Sequence, residues 1–480
     1  MRLGQMLSGI AVDTFGHHAL NFKRIRVIQK GSLLDHSDPL GSIDFALENK
    51  INRGFDHTRL PSLSWQPGTP LCREHLSNRR ARMKRSRTEH IMNMYPPSDH
   101  FFDRPLASVG EALQLPLVSV IIVNYNYGRY LRQAVASILE QTYERIECII
   151  VDNASTDESG QILDEMEADN SPVTIIRRAH NDGQTPASLD GFKASNGAYV
   201  IFLDADDILL PRGVETHIFV HLSMRSHVGF TSGDMLQVEG DQIVVTGGNP
   251  FNDYIRSGKG IRQNLTRPYH HHADDPSTRN PGLDEIVLHK VHYVRPLAKN
   301  WVWSPTSGNC FRRDALRLFA DNPSLATLRT GTDMYFALGI SALCGSVLID
   351  EPVFAYRIHG NNIFTRHAQL NRILCYDPGG SGDSNDQAKR FLVDHLVIHA
   401  KRFTQNTWLR LNFVLLLARL DQIDPDPSLP RWAARSRLAQ RLVEHYSELE
   451  PILGFWKLRA MLLYKRVPLS IIFGLGSRQI

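Results

Sequence analysis

Val118-Ser119-Val120-Ile121-Ile122-Val123, running into Asn124-Tyr125-Asn126, decides how the rest of the chain is read. The run is uncharged, mostly β-branched and without a polar face, so it suits a strand covered on both sides of a sheet. Leu131, Val135, Ile138 and Leu139 follow at helical spacing, and residues 146–151 repeat the buried-strand texture. Ser155-Thr156-Asp157-Glu158 then has the form of a capping box opening a second helix, which carries Ile162, Leu163 and Met166. Residues 173–176 read as a third strand. Thr185-Pro186 opens a helix ending near Asn196-Gly197, and residues 199–203 are a fourth strand. Strand and helix alternating in this way require a mostly parallel sheet sandwiched between helices, an α/β fold.

With 480 residues the chain exceeds what one hydrophobic core usually serves, so two or three units are expected. Residues 1–115 lack sustained apolar periodicity and are read as a low-structure segment. Their basic run, Arg79-Arg80-Ala81-Arg82-Met83-Lys84-Arg85, is taken as solvated or untranslated rather than as a binder of nucleic acid or anionic lipid, with Met92 or Met94 as alternative starts. Residues 116–370 hold the strand–helix alternation. Within them 240–300, rich in Gly, Asn, Pro and His, reads as an irregular insertion. Pattern returns near Trp301, with a strand at 307–311, a helix from Arg313, a helix at 332–343 and strands at 347–349 and 353–358. Residues 380–480 read as helical.

Hydrophobic content of 42% with 22% charged residues is ordinary for a soluble globular protein. The apolar stretches at 411–420 and 469–475 are too short to span a bilayer. No secretory leader is recognisable, so the cytoplasm is the expected compartment, with attachment to the inner face of a membrane as the alternative. Five scattered cysteines without CxxC spacing argue against a disulfide framework and a structural zinc site. The net charge of +4 is small and concentrated in the basic run, so no nucleic-acid partner is implied.

Ligands of such sheets bind beyond the carboxyl ends of the strands, where three polar loops stand. They are Asn124-Tyr125-Asn126, Asp152-Asn153-Ala154-Ser155 and Asp204-Ala205-Asp206-Asp207. An Asp-x-Asp alone means little, as Asp424-Pro425-Asp426 in a Pro-rich helix connection shows. Position gives the pattern weight. Carboxylates crowded past a buried strand repel one another and are costly to desolvate, so a divalent cation is their natural compensation. Capping the helix expected near Pro211 would need only one of them.

The four motifs Val118 to Asn126, Asp152-Asn153-Ala154-Ser155-Thr156-Asp157, Asn181-Asp182-Gly183-Gln184 and Phe202-Leu203-Asp204-Ala205-Asp206-Asp207 together resemble glycosyltransferase family 2 over about residues 116–365. That resemblance implies the A-type glycosyltransferase fold, a nucleotide-sugar donor (most commonly a UDP-sugar), a divalent metal such as Mn2+ or Mg2+, and inversion at the anomeric carbon. By position it implies that Asp152 reads the nucleobase, that the loop Asn124, Tyr125 and Asn126 lies along the nucleoside, that Asp204 contacts ribose or metal, and that Asp206 binds the metal. Tyr356-Arg357-Ile358-His359 is similar to the family's late Tyr-Arg-x-His segment, which makes His359 a further metal or phosphate ligand. Gly331-Thr332-Asp333 matches the position of the catalytic base and gives that role to Asp333; Thr332 departs from the common Glu-Asp pair. Ala187-Ser188-Leu189-Asp190 likewise replaces the common Ala-Arg-Asn. Ser307-Gly308-Asn309 resembles the loop lining the acceptor side, with Trp301 and Trp303 as stacking platforms unless they are core.

Rival readings lack their signatures. A sugar-nucleotide nucleotidyltransferase needs a glycine-rich basic loop after the first strand, and a dinucleotide-binding dehydrogenase needs GxGxxG. A non-catalytic carbohydrate-binding scaffold would be favoured by loss of Asp206 or Asp333, and both carboxylates are present. The acceptor, a saccharide, polysaccharide precursor or lipid-linked sugar, is not specified. His270-His271-His272 with Asp274-Asp275 is read as a surface loop rather than a metal site. The helical tail is expected to pack on the rest, the alternative being a membrane-surface contact through Phe455, Trp456, Leu462 and Leu463 beside Lys457, Arg459, Lys465 and Arg466.

Overall fold

Four parallel strands, β1 (Val118–Asn124), β2 (Ile146–Asp152), β3 (Val173–Arg177) and β4 (Tyr199–Asp204), lie in the order β3-β2-β1-β4. The computed structural model describes residues 114–260, 264–269, 280–296, 301–360, 362, 382–421 and 428–475, all within one compact unit, Leu106–Ile480. Alternation along β1 explains why its sequence has no polar face. Val120 and Ile122 pack with Leu131, Val135, Ile138 and Leu163 of the helices Gly128–Leu139 and Ser159–Ala168, while Ile121 packs with Leu189 and Phe192 of the helix Gln184–Ala194. Each such side chain contributes roughly 1.5–3 kcal/mol on burial.

The sheet continues beyond β4 as a mixed structure. After β5 (Ile208–Leu209) and the helix Gly213–Ser223 come β6 (Phe230–Glu239), β7 (Gln242–Thr246), β8 (Val291–Val294), β9 (Asn309–Arg312) and β10 (Ser346–Ile358). The path runs β4-β9-β6-β10-β5; β9 is antiparallel to both β4 and β6, and β10 is parallel to β6. This is the A-type glycosyltransferase architecture expected from the sequence.

Several local expectations are corrected. Residues 240–300 are not simply irregular: β7 and β8 extend the sheet by pairing with β6 and β10, and helices form at Asn249–Arg256 and Pro281–His289. The strands expected at 347–349 and 353–358 are one strand, β10, with register shifts around Pro352 that absorb the residue lacking an N–H. Residues 306–308 form a 3-10 turn and the strand starts only at Asn309. Residues 1–113, with the basic run and the alternative starts, and His270 to Asp275 lie outside the described residues.

The helical tail packs as expected. Gly382–Ile398 lies on the helix Thr332–Cys344, and Leu392, Leu396, Leu416, Leu438 and Leu462 join the core beneath the sheet. Leu462, which only the membrane-surface alternative placed on the outer face, is buried, and Lys465 pairs with the buried Asp421 at 2.5 Å. No described helix is long and apolar enough to cross a membrane.

Candidate active site

Register brings the expected loops to one edge of the sheet. Asn124 of β1 stands opposite Asp152 of β2, and Val123 stands opposite Asp204 of β4. All three strands are parallel, so their carboxyl ends form a common rim. The β1 and β2 loops are tied together across it. Asn124 Nδ2 donates to Asp152 Oδ1 at 2.9 Å and to Ser155 Oγ at 3.1 Å, and the Asn126 N–H donates to Ser155 Oγ at 3.0 Å. In return Asn126 Oδ1 accepts from the Thr156 N–H at 2.7 Å. Asn126 and Ala154 both adopt left-handed backbone, with φ of 59° and 62°, a conformation that costs roughly 1–2 kcal/mol outside glycine. Such strain is tolerated where a loop must hold one shape.

These contacts correct the reading of 155–158 as a capping box. Ser155 Oγ is engaged by the β1 loop, and the helix begins instead at Ser159, whose N–H is capped by Asp157 Oδ1 at 3.0 Å.

A cavity of about 300 Å³ opens beside this rim. Tyr125, Asp204, Asp206 and Asp333 line it, together with Tyr127, Asn153, Gln184, Thr306, Arg329 and Tyr356. Asn124, Asn126, Asp152 and His359 do not line it. The first three shape the loops behind Tyr125 and Asn153. His359 stands behind Asp206, with its Nε2 and Asp206 Oδ2 hydrogen-bonded at 2.9 Å. Tyr127 and Tyr130 enclose the His359 ring, with centroids 5.5 and 5.2 Å away.

The electrostatics of the rim are strained. Burial, reinforced by the charges of Asp206 and Asp333, raises the Asp204 carboxyl well above the usual range, although Gln184 Nε2 donates to its Oδ1 at 2.6 Å. Desolvation likewise lifts Asp333 to about 6, against backbone N–H donors at the start of its helix that pull it down, among them Met334 N–H at 2.7 Å. Asp207 is spent on structure: its carboxylate accepts from Ser307 Oγ–H at 2.6 Å and the Arg357 N–H at 3.2 Å.

Asp204 and Asp333, like the buried Asp207 and Asp234, are acids whose folded pKa exceeds the unfolded one, so the folded chain holds extra protons and stability falls as pH rises. Without divalent cation, the melting temperature is therefore expected to drop as pH climbs from near 4 through about 6 and beyond, the range set by Asp333 and Asp234 and extended by Asp204 and Asp207. Thermal melts in EDTA check this. Asp204→Asn should flatten the upper part of the slope, and an unchanged slope would show that Asp204 is not the strained group.

A divalent cation fits the donor set in part. Among the described residues no three His, Cys, Asp or Glu side chains form a ready-made cage. Asp206 Oδ2 and His359 Nε2 nevertheless offer adjacent oxygen and nitrogen donors at the edge of a cavity with surplus carboxylate charge. Sites completed by substrate phosphates commonly use only one or two protein carboxylates.

Sequence reasoning missed Gln184 and Arg329 as lining residues. The first sits inside a recognised motif with no role attached, and the second has no pattern around it. Gly183 joins them: it has φ 109°, and a Cβ there would run into the Arg329 backbone, whose carbonyl accepts the Gln184 N–H at 2.6 Å. Gly183→Ala is expected to cost roughly 1–3 kcal/mol, read by denaturant unfolding, because it forces both strain and a clash. Thr332, the departure from the common acid, is buried and hydrogen-bonds Thr185 across to the neighbouring helix at 2.8 Å. The acceptor loop divides: the expected lining by Ser307 and Asn309 is corrected, whereas the core alternative holds for Trp303. Ser307 and Asn309 are buried beneath Pro305 and Thr306, and Trp303 is core, 3% exposed, donating its Nε1–H to Ser346 Oγ. Trp301 packs edge-on against it.

Residues 119–222, from β1 through the helix after β5, match the family model described as Glycosyl transferase family 2. An uncharacterized glycosyltransferase of Nostoc sp. is 32% identical over 281 residues, which cover 58% of this chain and 76% of that protein. The chain belongs to glycosyltransferase family 2. An uncharacterized glycosyltransferase of Haemophilus influenzae is 34% identical over 246 residues, covering 51% of this glycosyltransferase and 67% of its relative. Putative glycosyltransferase EpsH of Bacillus subtilis is 22% identical over 305 residues, covering 62% and 78%. The family match includes the Asp204 to Asp207 loop of this glycosyltransferase and ends before Asp333 and His359.

Proposed function

We propose that the enzyme transfers a sugar, with inversion, from a nucleoside diphosphate donor to a hydroxyl of a saccharide or lipid-linked acceptor, and that residues 116–370 carry the reaction. The observation that supports it is the meeting of Asp204, Asp206 and Asp333 on one cavity beside the β1 and β2 loops. Tyr125 and Asn153 receive the nucleoside, uridine being the expected base. Asn124, Asn126 and Asp152 fix the loops that present them, and Asp152 supplies the carboxylate nearest the base. Asp204 faces the ribose. Asp206 and His359 would hold Mn2+ or Mg2+, which supplies positive charge for a leaving diphosphate.

Asp333 is the base. Its carboxylate takes the proton of the acceptor hydroxyl while the acceptor oxygen bonds to the anomeric carbon, and the bond from that carbon to the diphosphate oxygen breaks with its electron pair on the diphosphate. Attack from the face opposite the leaving group inverts the configuration. Lifting the Asp333 pKa toward neutrality brings a carboxylate closer to the strength a general base needs.

The test is incubation of purified enzyme with Mn2+ and a panel of nucleotide sugars, following release of nucleoside diphosphate with and without candidate acceptors. Release that depends on one donor and on Asp206 supports the reading. Tight donor binding without turnover on any acceptor or water points to a carbohydrate-binding relative instead.

A further inference from the structure

From Pro451 to Ile480 the sequence contains no Asp or Glu, while Lys457, Arg459, Lys465, Arg466 and Arg478 are all basic. Helical geometry sorts this segment into two faces. In the helix Phe455–Tyr464, Leu458 and Leu462 are buried against the core, and Trp456, Ala460, Leu463 and Tyr464 fall at the i, i+4, i+7 and i+8 positions of the outer face. Trp456 is 81% exposed, Tyr464 74% and Leu463 51%. The next helix, Leu469–Gly474, repeats the arrangement: Ile472 is buried, while Leu469 and Phe473, one turn apart, are 56% and 68% exposed. Isolated exposed apolar residues are ordinary, but five large ones on consecutive helix faces are the mark of a contact surface.

The cations divide in the same way. Arg459 turns inward, stacked over Phe455 and donating to the Leu475 carbonyl at 2.9 Å, and Lys465 is held by Asp421. Lys457 and Arg466 are exposed and have no ion-pair partner among the described residues. We propose that this face seats on the surface of an anionic lipid bilayer. Trp456 and Tyr464 have the apolar body and polar tip suited to the headgroup boundary, Leu463, Leu469 and Phe473 enter the acyl edge, and Lys457 and Arg466 meet lipid phosphate. A second copy of the chain is the poorer occupant, because a self-complementary contact would set these cations against each other with no acid in the segment to offset them. The helices lie on the bilayer and do not cross it, in keeping with their length. This surface is independent of the donor site, so its failure would leave the proposed chemistry untouched.

The test is flotation of the full chain with vesicles of phosphatidylcholine containing phosphatidylglycerol, against vesicles of phosphatidylcholine alone. The wild type is expected to float with the anionic vesicles and to be released by salt, and W456E/L463E to lower the bound fraction by about tenfold or more. K457E/R466E should reduce anionic binding while leaving donor hydrolysis unchanged, and it decides the matter if the first double variant melts early. Equal binding to both vesicle types overturns the proposal. So does binding that survives both double variants, which would place the contact elsewhere, for example in the Arg79 to Arg85 run. A dimer in sedimentation that W456E/L463E splits, with no vesicle binding by the wild type, assigns the face to a second copy and also overturns it.

Discussion

Replacing Asp206 by asparagine is expected to lower kcat for sugar transfer by about a hundred- to a thousandfold, the rate equivalent of the several kcal/mol that a bound cation contributes to a leaving group's charge. The substitution preserves shape and can still accept a hydrogen bond from His359, whose Nε2 lies 2.9 Å from Asp206 Oδ2. What it removes is the ionisable oxygen of one of three carboxyl groups facing the cavity. Asp204 is raised by burial and by its acidic neighbours Asp206 and Asp333, so taking away Asp206 relieves that repulsion. The melting temperature of the variant in EDTA should therefore equal or exceed that of the wild type while activity collapses. Steady-state kinetics with excess Mn2+ and parallel thermal melts check both halves. A variant that is merely misfolded would lose both.

Asp333→Asn is expected to reduce kcat by about a hundred- to ten-thousandfold, the range for removal of a positioned general base. The donor KM should change little, because the base acts on the acceptor side. Its pH dependence carries the diagnostic sign. The base works deprotonated, and desolvation lifts the Asp333 pKa to about 6, so wild-type kcat/KM should fall as pH drops through that region. The variant should lack this acidic limb. A limb that persists in Asp333→Asn, or a loss no greater than a few fold, would mean that Asp333 serves only its helix, whose Met334 N–H it already accepts at 2.7 Å.

The half of the sheet that builds the rim was legible because its strands are buried on both faces. Val118 to Val123 and residues 146–151 had to be hydrophobic throughout, and short uncharged runs of that kind have few other homes. Strand ends then pointed to Asp152, Asp204 and Asp206 without any knowledge of register. The second half of the sheet was harder to read. β7 is largely exposed and so carries little hydrophobic signal, and Pro352 in the middle of β10 looks like a break until the register shift around it is seen. Side-chain direction was the least legible feature. Ser155 fits a cap as well as a loop clamp, Trp303 fits a platform as well as a core residue, and only the fold shows that the first meets Asn124 and the second Ser346. Asp152 stands at the expected strand tip, yet its carboxylate is engaged by Asn124 Nδ2 and the Ser155 N–H at 3.2 Å, so its place in the loops could not be read from spacing. Arg329 reaches the cavity with no local pattern to announce it, and Tyr356 does so from a recognised motif in which only His359 has an expected role.

The crowding of carboxylates around this cavity makes chemical sense if a divalent cation and a diphosphate arrive together. Isothermal titration of the metal-stripped enzyme with UDP, in Mn2+ and in EDTA, for the wild type and Asp206→Asn, tests this directly. Binding by the wild type at least about tenfold tighter in Mn2+ than in EDTA, with that difference absent in Asp206→Asn, is the expected result. Wild-type enzyme that binds UDP equally well in EDTA, or a variant that keeps the full metal dependence, would contradict it.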